Sequence, residues 1–117
     1  MTGCDVRKFS ERIGNDETLL REVADIFLEE TPKLLARLQQ ALVARDTAAL
    51  ERAAHSLKGE LAYFGSMAAD QAREVERMGR ENDLAETPGM VMRLEAEVAS
   101  LMEAVRRDVR GKGAHAG

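Results

Sequence analysis

Apolar residues in this chain recur every three or four positions along nearly its whole length, and the strict alternation of a half-buried strand is nearly absent. That period commits the chain to helices with one apolar stripe each, and the stripes must be buried against one another. Aromatic residues are only 3%, with no Trp, so the core volume has to come from Leu, Ala, Met and Val. Those side chains suit packed helices better than sheets. A chain of 117 residues can bury one sizeable core without disulfides. The single cysteine, Cys4, excludes an internal disulfide and a Cys-based zinc site, and with no neighbouring histidine it is a poor candidate for a catalytic thiol.

Cap and breaker residues divide the pattern. A short helix is expected over Asp5 to Ile13, with Val6, Phe9 and Ile13 on one face. Gly14-Asn15-Asp16 ends it, and Asn15 or Asp16 can cap the next. The second stripe, Leu19, Leu20, Val23, Ile26, Phe27, Leu34, Leu35, Leu38 and Leu42, resumes almost in phase after Thr31-Pro32. One bent helix ending near Ala44 is therefore favoured over two. Asp46 or Thr47 caps a third helix to about Phe64, and Gly65 ends it. Ser66 caps a fourth helix to about Arg80, and Glu81 to Glu86 is a polar connection. Thr87-Pro88 starts the last helix, whose stripe runs from Val91 through Leu94, Val98, Leu101, Met102 and Val105 to Val109. The expectation is a single all-α domain, an antiparallel four-helix bundle with a short additional N-terminal helix. Its ordered core spans about 5–110, with 111–117 as a disordered tail.

Net charge is −4 and cations are interleaved with anions, which argues against nucleic acid or anionic lipid as a partner. No apolar run approaches a membrane span and no signal-peptide hydrophobic region opens the chain, so a cytoplasmic monomer is expected. Glycine-rich nucleotide loops, His-Glu-x-x-His, GxSxG and paired cysteines are all missing from the sequence.

The third helix holds what chemistry there is. At about 100° per residue, Leu50, Ala53, Ala54, Leu57, Leu61 and Phe64 fall within about 60° of one direction, and His55 lies about 140° from it, facing solvent. Glu51, Arg52, Lys58, Gly59 and Ala62 share the face of His55. A glycine inside a helix costs about 1 kcal/mol relative to alanine, which suggests that something approaches the backbone at Gly59. A surface imidazole, an ammonium one turn away and a bare strip of backbone suit a phosphoryl group carried on the imidazole, with Arg52 assisting from the preceding turn.

His55-Ser-Leu-Lys58-Gly59, with Gly65 ten residues after the histidine, closely resembles the motif of histidine-containing phosphotransfer (HPt) domains. Ala53-Ala54, the Asp46 to Leu50 entry and Phe27-Leu-Glu-Glu-Thr-Pro-Lys-Leu-Leu also look like that family, and the likeness covers about residues 5–110. It implies a bundle whose histidine shuttles phosphoryl groups between receiver-domain aspartates, with no nucleotide bound and no self-phosphorylation. Response-regulator receiver domains, and a hybrid histidine kinase, are the implied partners. Carried over by position, His55 is the phosphoacceptor, Lys58 the phosphate-side cation, Gly59 the clearance for the receiver and Gly65 a structural turn. Ala62, Arg52 and Glu51 complete the docking face. In the fourth helix Val75-Glu76 falls one residue earlier after Gly65 than the family pattern has it, so Glu76 and Arg77 both qualify to orient the imidazole. No cofactor is expected on this chain; Mg²⁺ would come with the receiver, since no carboxylate cluster flanks His55.

Other readings explain less. Glu51 and His55 offer a metal only two ligands where three or four are needed. The six methionines read as core filler, Tyr63 as a rim residue, and His115 as an uninvolved tail residue. A non-catalytic adaptor docking through the same face has no need of His55 and Lys58 one turn apart. A histidine-kinase dimerisation helix would carry an acidic residue after its histidine, where Ser56 stands.

Overall fold

A computed structural model describes residues 5–116, with side chains described through Val109; Cys4 and the side chain of His115 lie outside that range. Five helices follow in order: α1 (Val6–Arg12), α2 (Glu17–Val43), α3 (Thr47–Leu61), α4 (Ser66–Arg80) and α5 (Thr87–Ala116). There are no strands among the described residues. The four long helices pack in a ring, α2 on α3, α3 on α4, α4 on α5 and α5 back on α2, and α1 closes one end against α2 and α5. Connections of a few residues force each helix to run antiparallel to the last, giving the expected bundle.

Local chemistry sets the joints. Of the alternative caps, Asp16 and Asp46 are the ones used, their carboxylates accepting from the Leu19 and Ala49 N–H groups at 3.0 Å. Pro32 sits within an unbroken α2. A mid-helix proline costs about 3 kcal/mol, and full burial of Phe27, Thr31 and Leu38 on either side, at roughly 1.5–3 kcal/mol for each large apolar side chain, offsets it. The α2–α3 joint closes with Arg45 N–H on Leu42 O and Asp46 N–H on Ala41 O, at 3.0 Å each. The four aromatic residues of the chain make one cluster: Phe64 is fully buried with ring centroids 5.3 Å from Phe9 and 5.1 Å from Phe27, and Tyr63 lies 5.7 Å from Phe9, all edge to face. Together with Asp5 N–H on Phe64 O, it fastens α1 and α2 to the α3–α4 turn.

Several expectations need correction. Leu19 and Ile26 are exposed; they lie about 100° or more round from the Leu20–Phe27–Leu38 line, beyond what α3 and α5 cover. The third helix ends at Leu61, and Ala62 to Phe64 form a turn that carries Phe64 into the core. Gly65 is the N-cap of α4 at φ −144°, an extended backbone, and Ser66 is the first helical residue. Thr87 does not cap by accepting; its hydroxyl donates to Asp83 O at 2.7 Å. The methionines divide, with Met78 buried and Met67 and Met92 exposed. The backbone of α5 stays helical to Ala116, past Arg110, because no proline stops it and single glycines only weaken a helix already nucleated.

Candidate functional site

The apolar stripe of α3 (Leu50, Ala53, Ala54, Leu57, Leu61) is buried throughout, which fixes the rotation of the helix and turns His55 outward. The His55 side chain is 68% exposed. The facing helix is brought unusually near. A Cβ built on Gly79 of α4 would lie 2.9 Å from Glu51 N and 3.0 Å from Thr47 O, so the two backbones touch where only hydrogen fits. Ala68, Ala69 and Ala72 keep the rest of that α4 face small.

This approach carries the Glu76 carboxylate, 12% exposed, over α3. One oxygen lies 2.7 Å from His55 Nδ1, and the other accepts from Lys58 Nζ at 2.7 Å. The Lys58 hydrogen bond, opposed by burial and aided by His55, holds the Glu76 pKa below the ordinary carboxylate value. An ionised carboxylate can only accept, so Nδ1 must carry the ring proton, and Nε2 is left with its lone pair on the exposed side. Glu76 thereby sets both the tautomer and the direction of the imidazole. Lys58, whose side chain is 25% exposed, keeps two further N–H donors beside the ring.

Around this triad the surface is open. Glu51, Arg52, His55, Ser56 and Glu76 line a shallow depression of about 440 Å³. Gly59 is exposed, and a Cβ placed there meets nothing within 4 Å, so no contact among the described residues explains the glycine. Ala62, the C-cap of α3, is exposed one further turn along. Arg52 is exposed and makes no ion pair among the described residues. No group of three or more potential metal ligands occurs among the described residues, and no described helix is long and apolar enough to cross a membrane.

The alternative of Arg77 does not survive. One residue beyond Glu76 is about 100° further round α4, and Arg77 there binds Glu74 and Glu81, the latter at 2.8 Å. Gly65, buried in the α3–α4 turn, stands apart from the triad. Gly79 was missed by sequence reasoning; a glycine three residues after a candidate orienting carboxylate, one helical turn on, was the available signal.

Comparison with known proteins follows the same line. A family model described as "Hpt domain" matches residues 22–107. Histidine-containing phosphotransfer protein B (HptB) from Pseudomonas aeruginosa PAO1 superposes with a TM-score of 0.84 at 26% identity, over 92% of this chain and 95% of that one. The Hpt domain of a sensor hybrid histidine kinase from Shewanella gives 0.79 at 19% identity, over 93% and 95%, a likeness of fold. A comparison with curated protein sequences finds no match. With the family model spanning well over half of its residues, the chain belongs to the Hpt domain family, whose role is phosphotransfer in two-component signalling.

Proposed function

We propose that His55 takes a phosphoryl group from the aspartyl phosphate of one receiver domain and passes it to the aspartate of another, in the cytoplasm and as a monomer. The observation that carries this reading is the exposed imidazole of His55 with Nδ1 bound to the ionised Glu76. In the first step the Nε2 lone pair attacks phosphorus, the P–N bond forms, and the P–O bond to the aspartate breaks with its electron pair leaving on the carboxylate. The ring gains positive charge, which the Glu76 carboxylate balances through Nδ1–H. Lys58 offers its remaining donors to the phosphoryl oxygens. The second step is the reverse, onto a different carboxylate. Mg²⁺ belongs to the receiver, and Gly59, Ala62, Arg52 and Glu51 form the docking face.

The test is incubation with receiver domains phosphorylated by acetyl phosphate. The wild-type chain should acquire acid-labile, base-stable phosphate, and ATP with Mg²⁺ alone should label nothing. His55→Gln should fold normally, since the side chain is outside the core, and take up none. Transfer at the wild-type rate in that variant would end the proposal.

A further inference from the structure

A groove of about 460 Å³ runs between α2 and α3, lined among others by Leu34, Arg37, Gln40, Asp46, Arg52 and Ser56. Arg52 and Ser56 also line the depression around His55, so the two concavities are one continuous surface. From Asp46 to Ser56 along α3 it extends roughly 15 Å. Arg37 and Arg52 are both exposed, and neither pairs with a carboxylate among the described residues. Lys33, Arg73, Arg77 and Arg106, by contrast, are each paired with an acid of their own helix. The only carboxylate lining the groove, Asp46, is engaged in capping Ala49 N–H. The two arginines outnumber that one carboxylate, whereas the adjoining depression adds Glu51, and Glu76 paired with Lys58, so in a chain of net charge −4 the cationic part of this surface is the α2–α3 groove beside the imidazole.

Resting on the phosphotransfer reading above, we propose that this groove receives an acidic segment of the docking receiver domain, with Arg37 on α2 as a specificity-determining contact. A receiver that carries its phosphoryl group on an aspartate presents a negatively charged end to His55. Guanidinium forks recognise carboxylates in two-point geometry. Contacts along α3 alone, at His55 and the docking face beside it, hold the receiver's rotation about the line of phosphoryl transfer only weakly. A second contact from a different helix fixes that rotation and holds the aspartate in line. Arg37 acts on docking and orientation only; it is not placed to touch the phosphoryl group.

The experiment uses the full chain and a purified receiver domain chosen because, phosphorylated by acetyl phosphate, it labels wild-type His55. Arg37→Glu is compared with Arg93→Glu, which makes the same change of net charge at an exposed arginine of α5, outside the groove and without an ion pair among the described residues. Arg37→Glu should weaken receiver binding roughly tenfold at low salt, mainly through a slower association rate, and the loss should shrink in about 0.5 M salt. Arg93→Glu should leave binding within about twofold. Equal weakening by both variants, or none by Arg37→Glu, overturns the groove while leaving His55 as acceptor. If no receiver labels the wild-type chain, the phosphotransfer reading fails and the groove loses its occupant with it.

Discussion

Two glycines lie in the last turns of adjacent helices, and they are there for opposite reasons. Gly79 faces inward, where a single added carbon would stand 2.9 Å from the backbone of α3. Gly59 faces outward, where the same carbon would meet nothing within 4 Å. Each forgoes up to about 1 kcal/mol of helix propensity relative to alanine. Close packing of α3 and α4 explains the first. Nothing among the described residues explains the second; the proposed docking of a receiver against the bare backbone beside His55 would. The comparison separates what builds the site from what the site is for: Gly79 lets Glu76 reach the imidazole, and Gly59 leaves the imidazole reachable from outside.

Gly79→Ala is the severest way to break the inward half. The methyl group collides with main-chain atoms, which have no rotamer to turn away, so overpacking should outweigh the gain in helix propensity and cost about 2–3 kcal/mol. Urea unfolding would read the loss as a lower midpoint with unchanged slope. The displaced α4 should also lengthen the Glu76–His55 contact, visible as a changed imidazole tautomer equilibrium in ¹⁵N NMR of the folded variant. An unchanged midpoint would mean that α3 and α4 can separate at no cost.

Glu76→Gln tests the same contact chemically and with a smaller effect. It removes the charge from a carboxylate shared by Lys58 and His55, and should cost about 1–2 kcal/mol at neutral pH. Because the folded-state pKa of Glu76 is lowered, mainly by the Lys58 hydrogen bond, its contribution is fully present above the ordinary carboxylate value. It is lost as pH falls through the depressed folded value. The stability difference between wild type and variant should therefore be flat above about pH 5 and shrink on acidification. A difference that grows in acid would reverse the assignment of Glu76 as the ionised partner.

The outward half of this contrast was legible in the sequence and the inward half was not. The projection of Leu50, Ala54, Leu57 and Leu61 onto one side of α3 depends only on helical geometry, and it placed His55 and Gly59 on the opposite side. Choosing between Glu76 and Arg77 required the rotation and distance of α4 relative to α3, which are properties of two packed helices. Gly79 is informative only once Thr47 and Glu51 are known to lie against it. The exposure of Ile26 has the same origin, since the width of the α2 stripe that becomes covered depends on where its neighbours stand.

Gly59→Ala carries the smallest change in stability and the opposite sign. With open space around the added methyl, the variant should gain roughly 0.5–1 kcal/mol, a slightly higher midpoint in the same urea titration. Gly59→Leu should likewise be no less stable than wild type, because leucine is also a good helix former and its side chain can remain in solvent. The two differ in how much they place beside the imidazole. Alanine adds one carbon to the docking face, whereas leucine adds a branched side chain to the space a receiver must enter. Single-turnover transfer to His55 should therefore fall from wild type to Gly59→Ala and fall much further in Gly59→Leu, while stability does not fall. That divergence between stability and rate is what an externally imposed glycine predicts. If Gly59→Leu accepts phosphoryl at the wild-type rate, the glycine is merely tolerated, and the contrast with Gly79 reduces to one of packing alone.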